Sequence, residues 1–221
     1  MSAILHYSEE EKNMLQRNWK HFKKIGEGDE AECFLINDEV FKVYNENYRN
    51  HNINNYICKD DFNLESFLFP TEIYTCNSKV FATKAKYIKE NYFDKEHLHF
   101  GNTPDLDKLK EALEPYIKDV YELSKNNIYA KDLSLNTIFD GEKLYAIDTL
   151  SYEKVDYDTY DKNIELVKGV IELYIELYEF FYEELYGENK EFKDKCHELI
   201  PYIDELSIKI KENDNTTNKR R

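Results

Sequence analysis

Three oxygen-bearing side chains, Asp132, Asn136 and Asp148, lie within one stretch of the 221-residue chain, IYAKDLSLNTIFDGEKLYAIDTL at 128–150. The stretch reads as a short apolar strand, a polar loop, a strand, a tight turn at Asp140-Gly141 and a second strand ending in an acid. Asp132 and Asp148 sit at the exits of the apolar runs IYA and LYAI, with Asn136 between them. A hairpin brings its two ends together, so the three side chains are expected to converge. Hard oxygen donors gathered at strand ends suit Mg²⁺ and a phosphate. An ordinary surface hairpin with acidic ends is the competing reading of this stretch taken alone.

A second set lies upstream. In IGEGDEAECF, Gly26 and Gly28 occupy the turn between two short strands, where glycine lets backbone N–H groups approach a phosphate closely. Glu27, Asp29 and Glu30 are unusual company for such an anion. Lys42 follows inside the apolar strand VFKVY, either snorkelling from an edge or placed there as a cation.

These residues need elements to position them. Residues 1–20 predict one helix, capped by Ser8, with Met14, Leu15 and Trp19 on its apolar face. Strands follow at 21–26, 31–37 and 39–44, with Asn37-Asp38 as a two-residue hairpin turn, then at 71–76 and 79–85 around Asn77-Ser78. The Asn-rich residues 45–63 predict a short helix. Gly101 and Pro104 mark a connector between two lobes. A helix over 104–127 is interrupted or kinked at Pro115, and a second over 159–186 carries the stripe Ile164, Val167, Ile171, Tyr174, Tyr178, Phe181 and Leu185. A last helix is expected over 189–211, with Pro201 as a candidate break, and the polar tail 213–221 is expected to be disordered.

The net charge of −15 argues against general binding to nucleic acid or an anionic membrane. Cys33, Cys58, Cys76 and Cys196 form no CxxC pair, and no signal peptide is read at the N-terminus; reduced thiols and a cytoplasmic location are expected. Cys196-His197 and His97-x-His99 are weak candidates for zinc. No apolar run is long enough to predict a transmembrane helix.

The order of parts is a glycine hairpin, a lysine strand, a short helix, two strands, a connector, a long helix, then an Asp loop, a hairpin and an Asp. Through IGEGDEAECF, VFKVY, IYAKDLSLNTIF and YAIDT, the chain resembles the protein kinase-like superfamily over roughly residues 20–150. The resemblance implies an α+β, bilobal fold. Residues 1–92 would form an N-lobe with a five-stranded antiparallel sheet and one helix, and 93–212 a reduced, mostly helical C-lobe. It implies ATP and Mg²⁺ as cofactors. Gly26, Gly28 and Ala31 would match the glycine loop, and Lys42 the lysine that binds the α- and β-phosphates. Asp132 would be the catalytic aspartate, while Asn136 and Asp148 would hold the metal.

Several positions depart from the pattern. Ala130 and Lys131 replace the usual His-Arg, and Ser134 the lysine two residues after Asp132. Asn136 falls one residue early, which leaves Thr137 as an alternative ligand. Asp148-Thr149-Leu150 lacks the hinge glycine. An acid to pair with Lys42 is missing at Asn54 and Asn55; Glu46 lies too early and Glu65 too late. The APE signature is absent, and little room follows for peptide-docking helices. The resemblance therefore implies a phosphotransferase with a protein or small-molecule hydroxyl acceptor, or a pseudokinase-like module that binds nucleotide or partner without turnover.

Overall fold

A computed structural model describes residues 2–45, 62 and 64–218. The protein is α+β and divides into two compact units. The first comprises residues 1–63 and 68–87, the second 64–67 and 88–221. Of the helix expected over 45–63, only residues 45 and 62 are described; the rest, with Glu46, Asn54, Asn55 and Cys58, lies outside the described residues.

The first unit is a six-stranded sheet, ordered β1-β5-β6-β4-β3-β2. Its strands are β1 (Ala3–Tyr7), β2 (Lys23–Glu27), β3 (Ala31–Ile36), β4 (Glu39–Tyr44), β5 (Glu72–Cys76) and β6 (Lys79–Lys86). Asn37 and Asp38 join β3 to β4, and Asn77 and Ser78 join β5 to β6. All four take positive φ, as a two-residue turn matched to strand twist requires. Helix α1 (Glu9–Trp19) begins at Ser8. The Ser8 hydroxyl accepts from the Glu11 amide, while the Glu11 carboxylate accepts from the Ser8 amide.

One face of the sheet carries Phe34, Phe41, Val43, Tyr74 and Ala82, packed in one core with Trp19 of α1. Leu15 is partly buried against this core, whereas Met14 is exposed. Strand β1 was not expected. It pairs parallel to β5, almost seventy residues away, and brings Leu5 and Tyr7 onto the same core. No local turn announces a parallel strand.

The second unit is built on three helices that pack on one another: α3 (Leu106–Ser124), α4 (Tyr160–Leu177) and α6 (Lys190–Asn218). Short helix α2 (Lys95–His99) precedes them. Pro115 and Pro201 interrupt neither helix. Both prolines are exposed, on the side where the carbonyls they leave unpaired can turn to water. After α4 the chain widens into a π-helical turn, Tyr178–Glu183, before α5 (Glu184–Tyr186). The extra residue rotates the expected apolar stripe outward, so that Leu185 is exposed, while the Tyr182 ring stacks on Tyr178 and lies tilted against Tyr186. Helix α6 also runs through much of the tail expected to be disordered. Asp214 is tied to α3 by the Tyr121 hydroxyl and Lys125. No helix of the described residues is long and apolar enough to cross a membrane.

Candidate functional site

In the second unit, strand β7 (Ile128–Tyr129) leads into the Asp132 loop. Strands β8 (Thr137–Phe139) and β9 (Leu144–Ala146) form the expected antiparallel hairpin around Asp140-Gly141. After Asp148 the chain makes one 3-10 turn, Thr149–Ser151, and returns as β10 (Glu153–Lys154), antiparallel to β7. Both carboxylates therefore leave strands that are anchored on each side.

The Asp132 loop is three overlapping turns. Leu133, Leu135 and Asn136 amides donate to the carbonyls of Ala130, Asp132 and Leu133. It is seated on an apolar floor, because Ala130 and Leu133 are fully buried. Asn163 of α4, also fully buried, fixes the loop from below. Its Oδ1 accepts from the Ala130 amide at 3.0 Å, and its Nδ2 donates to the Ile128 carbonyl at 2.8 Å and the Ser124 hydroxyl at 2.9 Å. Gly169 of α4 lets the helix approach, since a Cβ there would stand 3.2 Å from the Ser134 Cβ.

Hydrogen bonds gather the three expected residues. The Asn136 side chain donates to the Asp132 carbonyl at 3.2 Å. The Asn136 carbonyl accepts from the Ile147 amide at 2.8 Å, next to Asp148. The Ser151 hydroxyl lies 3.1 Å from the Lys131 carbonyl and 3.4 Å from the Asp148 carbonyl. Both carboxylates act on the buried Tyr152 hydroxyl. Burial first, then Tyr116, Asp148 and Asp132, push its ionisation well above the usual tyrosine range. That hydroxyl and the Thr149 hydroxyl are buried without a hydrogen-bond partner among the described residues.

Backbone geometry singles out the same two acids. Seven described residues other than glycine take positive φ. Four form the two hairpin turns, and Asn127 follows the C-terminus of α3, where a left-handed residue is usual. The other two are Asp132 (φ 61°) and Asp148 (φ 56°, ψ 44°). Asp tolerates this region better than most residues, yet each such conformation persists only where its surroundings enforce it.

The donor set divides cleanly. Thr137 is buried, its hydroxyl bonded to the Tyr116 hydroxyl at 2.8 Å and to the Leu133 carbonyl at 2.7 Å. The Asn136 Oδ1 has no hydrogen-bond partner among the described residues. The exposed Asp132 carboxylate has none either, and the neighbouring Lys131 ammonium has no ion-pair partner there. No group of three or more His, Cys, Asp or Glu that could hold a metal is found among the described residues. A cation here would rest on Asp148 and Asn136, with water and phosphate oxygens completing its shell, as Mg²⁺ commonly accepts.

In the first unit, Gly26, Cys33, Lys42 and Thr83 form one cross-strand row through β2, β3, β4 and β6. Side chains in such a row share a face, and Ala31 and Tyr44 stand one pleat along on that face. Gly26, Ala31 and Lys42 are therefore brought to one side of the sheet, opposite the Trp19 core. Lys42 Nζ lies 5.4 Å from the centre of the Tyr44 ring. The Gly28 amide is already spent, donating to the Ala31 carbonyl at 3.0 Å. Neither Gly26 nor Gly28 has positive φ, and a Cβ at either would meet no close contact. The hairpin itself does not demand these glycines. Glu27 and Glu32 are bound by Lys24, at 2.6 and 3.2 Å, which offsets part of the acidity around the loop.

Glu65 is exposed and pairs with Lys143 in the second unit. Sequence reasoning missed Asn163 and Ser151. A buried Asn beside the apolar stripe of α4 was the available sign of the first, and nothing in the sequence marked the second. No protein-family model matches the chain, and no curated protein matches it in sequence.

Proposed function

We propose that the chain is a Mg²⁺- and ATP-dependent phosphotransferase of protein kinase-like fold, moving the γ-phosphoryl group to a hydroxyl acceptor on a protein or small molecule. One observation carries the reading. Outside the hairpin turns and the helix end, the described residues held in the left-handed region, other than glycine, are the two carboxylates that phosphoryl transfer would use. Strain kept at two acids, in loops fixed by buried hydrogen bonds, is a common mark of function.

The roles follow from chemistry. Asp132 is exposed and has no hydrogen-bond or ion-pair partner among the described residues, as needed to accept or orient the acceptor's hydroxyl proton. Asp148 and the Asn136 Oδ1 supply hard oxygen ligands; Thr137 is already committed. Bound Mg²⁺ would neutralise charge on the phosphate oxygens. Lys42 would meet the α- and β-phosphates, and Lys131 an anionic group close to the acceptor.

A nucleotide- or partner-binding module without turnover is the second reading. The spent Gly28 amide and the acids around it favour it, because both weaken the cradle for a phosphate. The two readings separate in a γ-phosphate transfer and hydrolysis assay. Wild type turns over ATP, and Asp132→Ala loses about 100-fold or more while keeping nucleotide-dependent stabilisation. Turnover unchanged in Asp132→Ala contradicts the assignment. Stabilisation without turnover in wild type favours the second reading.

A further inference from the structure

We infer that Ser151 is a positioning residue whose one hydroxyl sets the Asp132 loop against the Asp148 turn. The Oγ faces the carbonyl of Lys131 at 3.1 Å and that of Asp148 at 3.4 Å. One proton is shared between two acceptors on different segments. The Lys131 carbonyl belongs to the peptide plane that precedes Asp132, so holding it fixes φ of Asp132. The Asp148 carbonyl belongs to the plane that follows Asp148, so holding it fixes ψ there. Both residues lie in the left-handed region that L-residues otherwise leave. The Ser151 hydroxyl thus acts on the backbone of both strained residues at once. The pairing of β10 with β7 on the far side of the 3-10 turn keeps Ser151 in place.

For its functional consequence the inference rests on the proposed metal role of Asp148. Its structural half stands apart from that role, and the experiment separates them. Wild type, Ser151→Ala and Ser151→Thr are compared as full-length chains. Hydrogen exchange is followed at residues 131–136 and 148–152, and Mn²⁺ is titrated with ATP present. ATP affinity is also measured in EDTA.

Ser151→Ala speeds exchange in both segments together and raises the half-saturating Mn²⁺ concentration about five- to tenfold, the worth of one ordinary hydrogen bond. ATP affinity in EDTA is unchanged, and Ser151→Thr restores both readouts. Faster exchange confined to 148–152, or a Thr variant that behaves as Ala, overturns the positioning role. A Mn²⁺ midpoint unmoved by Ser151→Ala overturns its functional half. If wild type takes up neither Mn²⁺ nor ATP, the proposed function fails instead, and the paired exchange response alone decides the role of Ser151.

Discussion

Asp148 shows how much chemistry one residue's backbone can report. Its φ of 56° and ψ of 44° put a β-carbon where an L-residue meets its own carbonyl, at a cost on the order of 1 kcal/mol that glycine avoids. The left-handed conformation predicts an ordering of variants independent of any ligand. In chemical denaturation, Asp148→Gly should be more stable than Asp148→Ala by about 1 kcal/mol. Equal stabilities, or Ala ahead, would mean the turn relaxes without strain. The identity and spacing of Asp132, Asn136 and Asp148 were legible in the sequence because hairpin chemistry is local: Asp140-Gly141 and two apolar runs suffice. The commitment of the Thr137 hydroxyl was not. It depends on the Tyr116 hydroxyl, one helix away in sequence, which occupies Thr137.

At the scale of elements, the hairpin is held by helices through buried polar contacts. Asn163 of α4 is one hold, and Asp119 of α3 is another. The Asp119 carboxylate accepts from the Ser66 amide at 2.7 Å, and the Ser66 carbonyl in turn accepts from the Ala146 amide at the end of β9. Burial pushes the Asp119 carboxyl above its ordinary range, against the opposing pull of the Ser66 and Glu65 amides. Because the folded state holds this proton more tightly than the unfolded chain, its contribution is fully present below the unfolded value, near 4. It is lost as pH rises through the folded one. Asn at 119 keeps an acceptor and carries no charge. Asp119→Asn should therefore gain stability relative to wild type as pH rises from the unfolded carboxyl value through the raised folded one, in urea melts taken across the acid range. A difference that stays flat or shrinks with rising pH would contradict the burial argument. The elements themselves were largely legible: α1 with its Ser8 cap, both primed hairpins of the sheet, and α3 from its three-four apolar spacing. Strand β1 and the π-helical turn were hidden, since one depends on a partner far along the chain and the other on a local change of helical period.

At the scale of the molecule, the sheet unit presents Gly26, Ala31 and Lys42 on one face, and the helical unit holds Asp132, Asn136 and Asp148 in one loop cluster. A chain with a charge of −15 has little general attraction for an anion, so nucleotide binding depends on local cations and on Mg²⁺. The most direct measurement is thermal unfolding of wild type and Asp148→Asn with ATP, each with and without Mg²⁺. Asn tolerates the left-handed backbone, so this variant removes charge with little added strain. At about 100 times Kd a ligand stabilises the fold by roughly 2.7 kcal/mol, several degrees in a domain of this size. Wild type should show that shift with ATP and Mg²⁺ together and a smaller one with ATP alone, and Asp148→Asn should lose the Mg²⁺-dependent part. No shift in wild type, or an identical Mg²⁺-dependent shift in Asp148→Asn, would contradict the account.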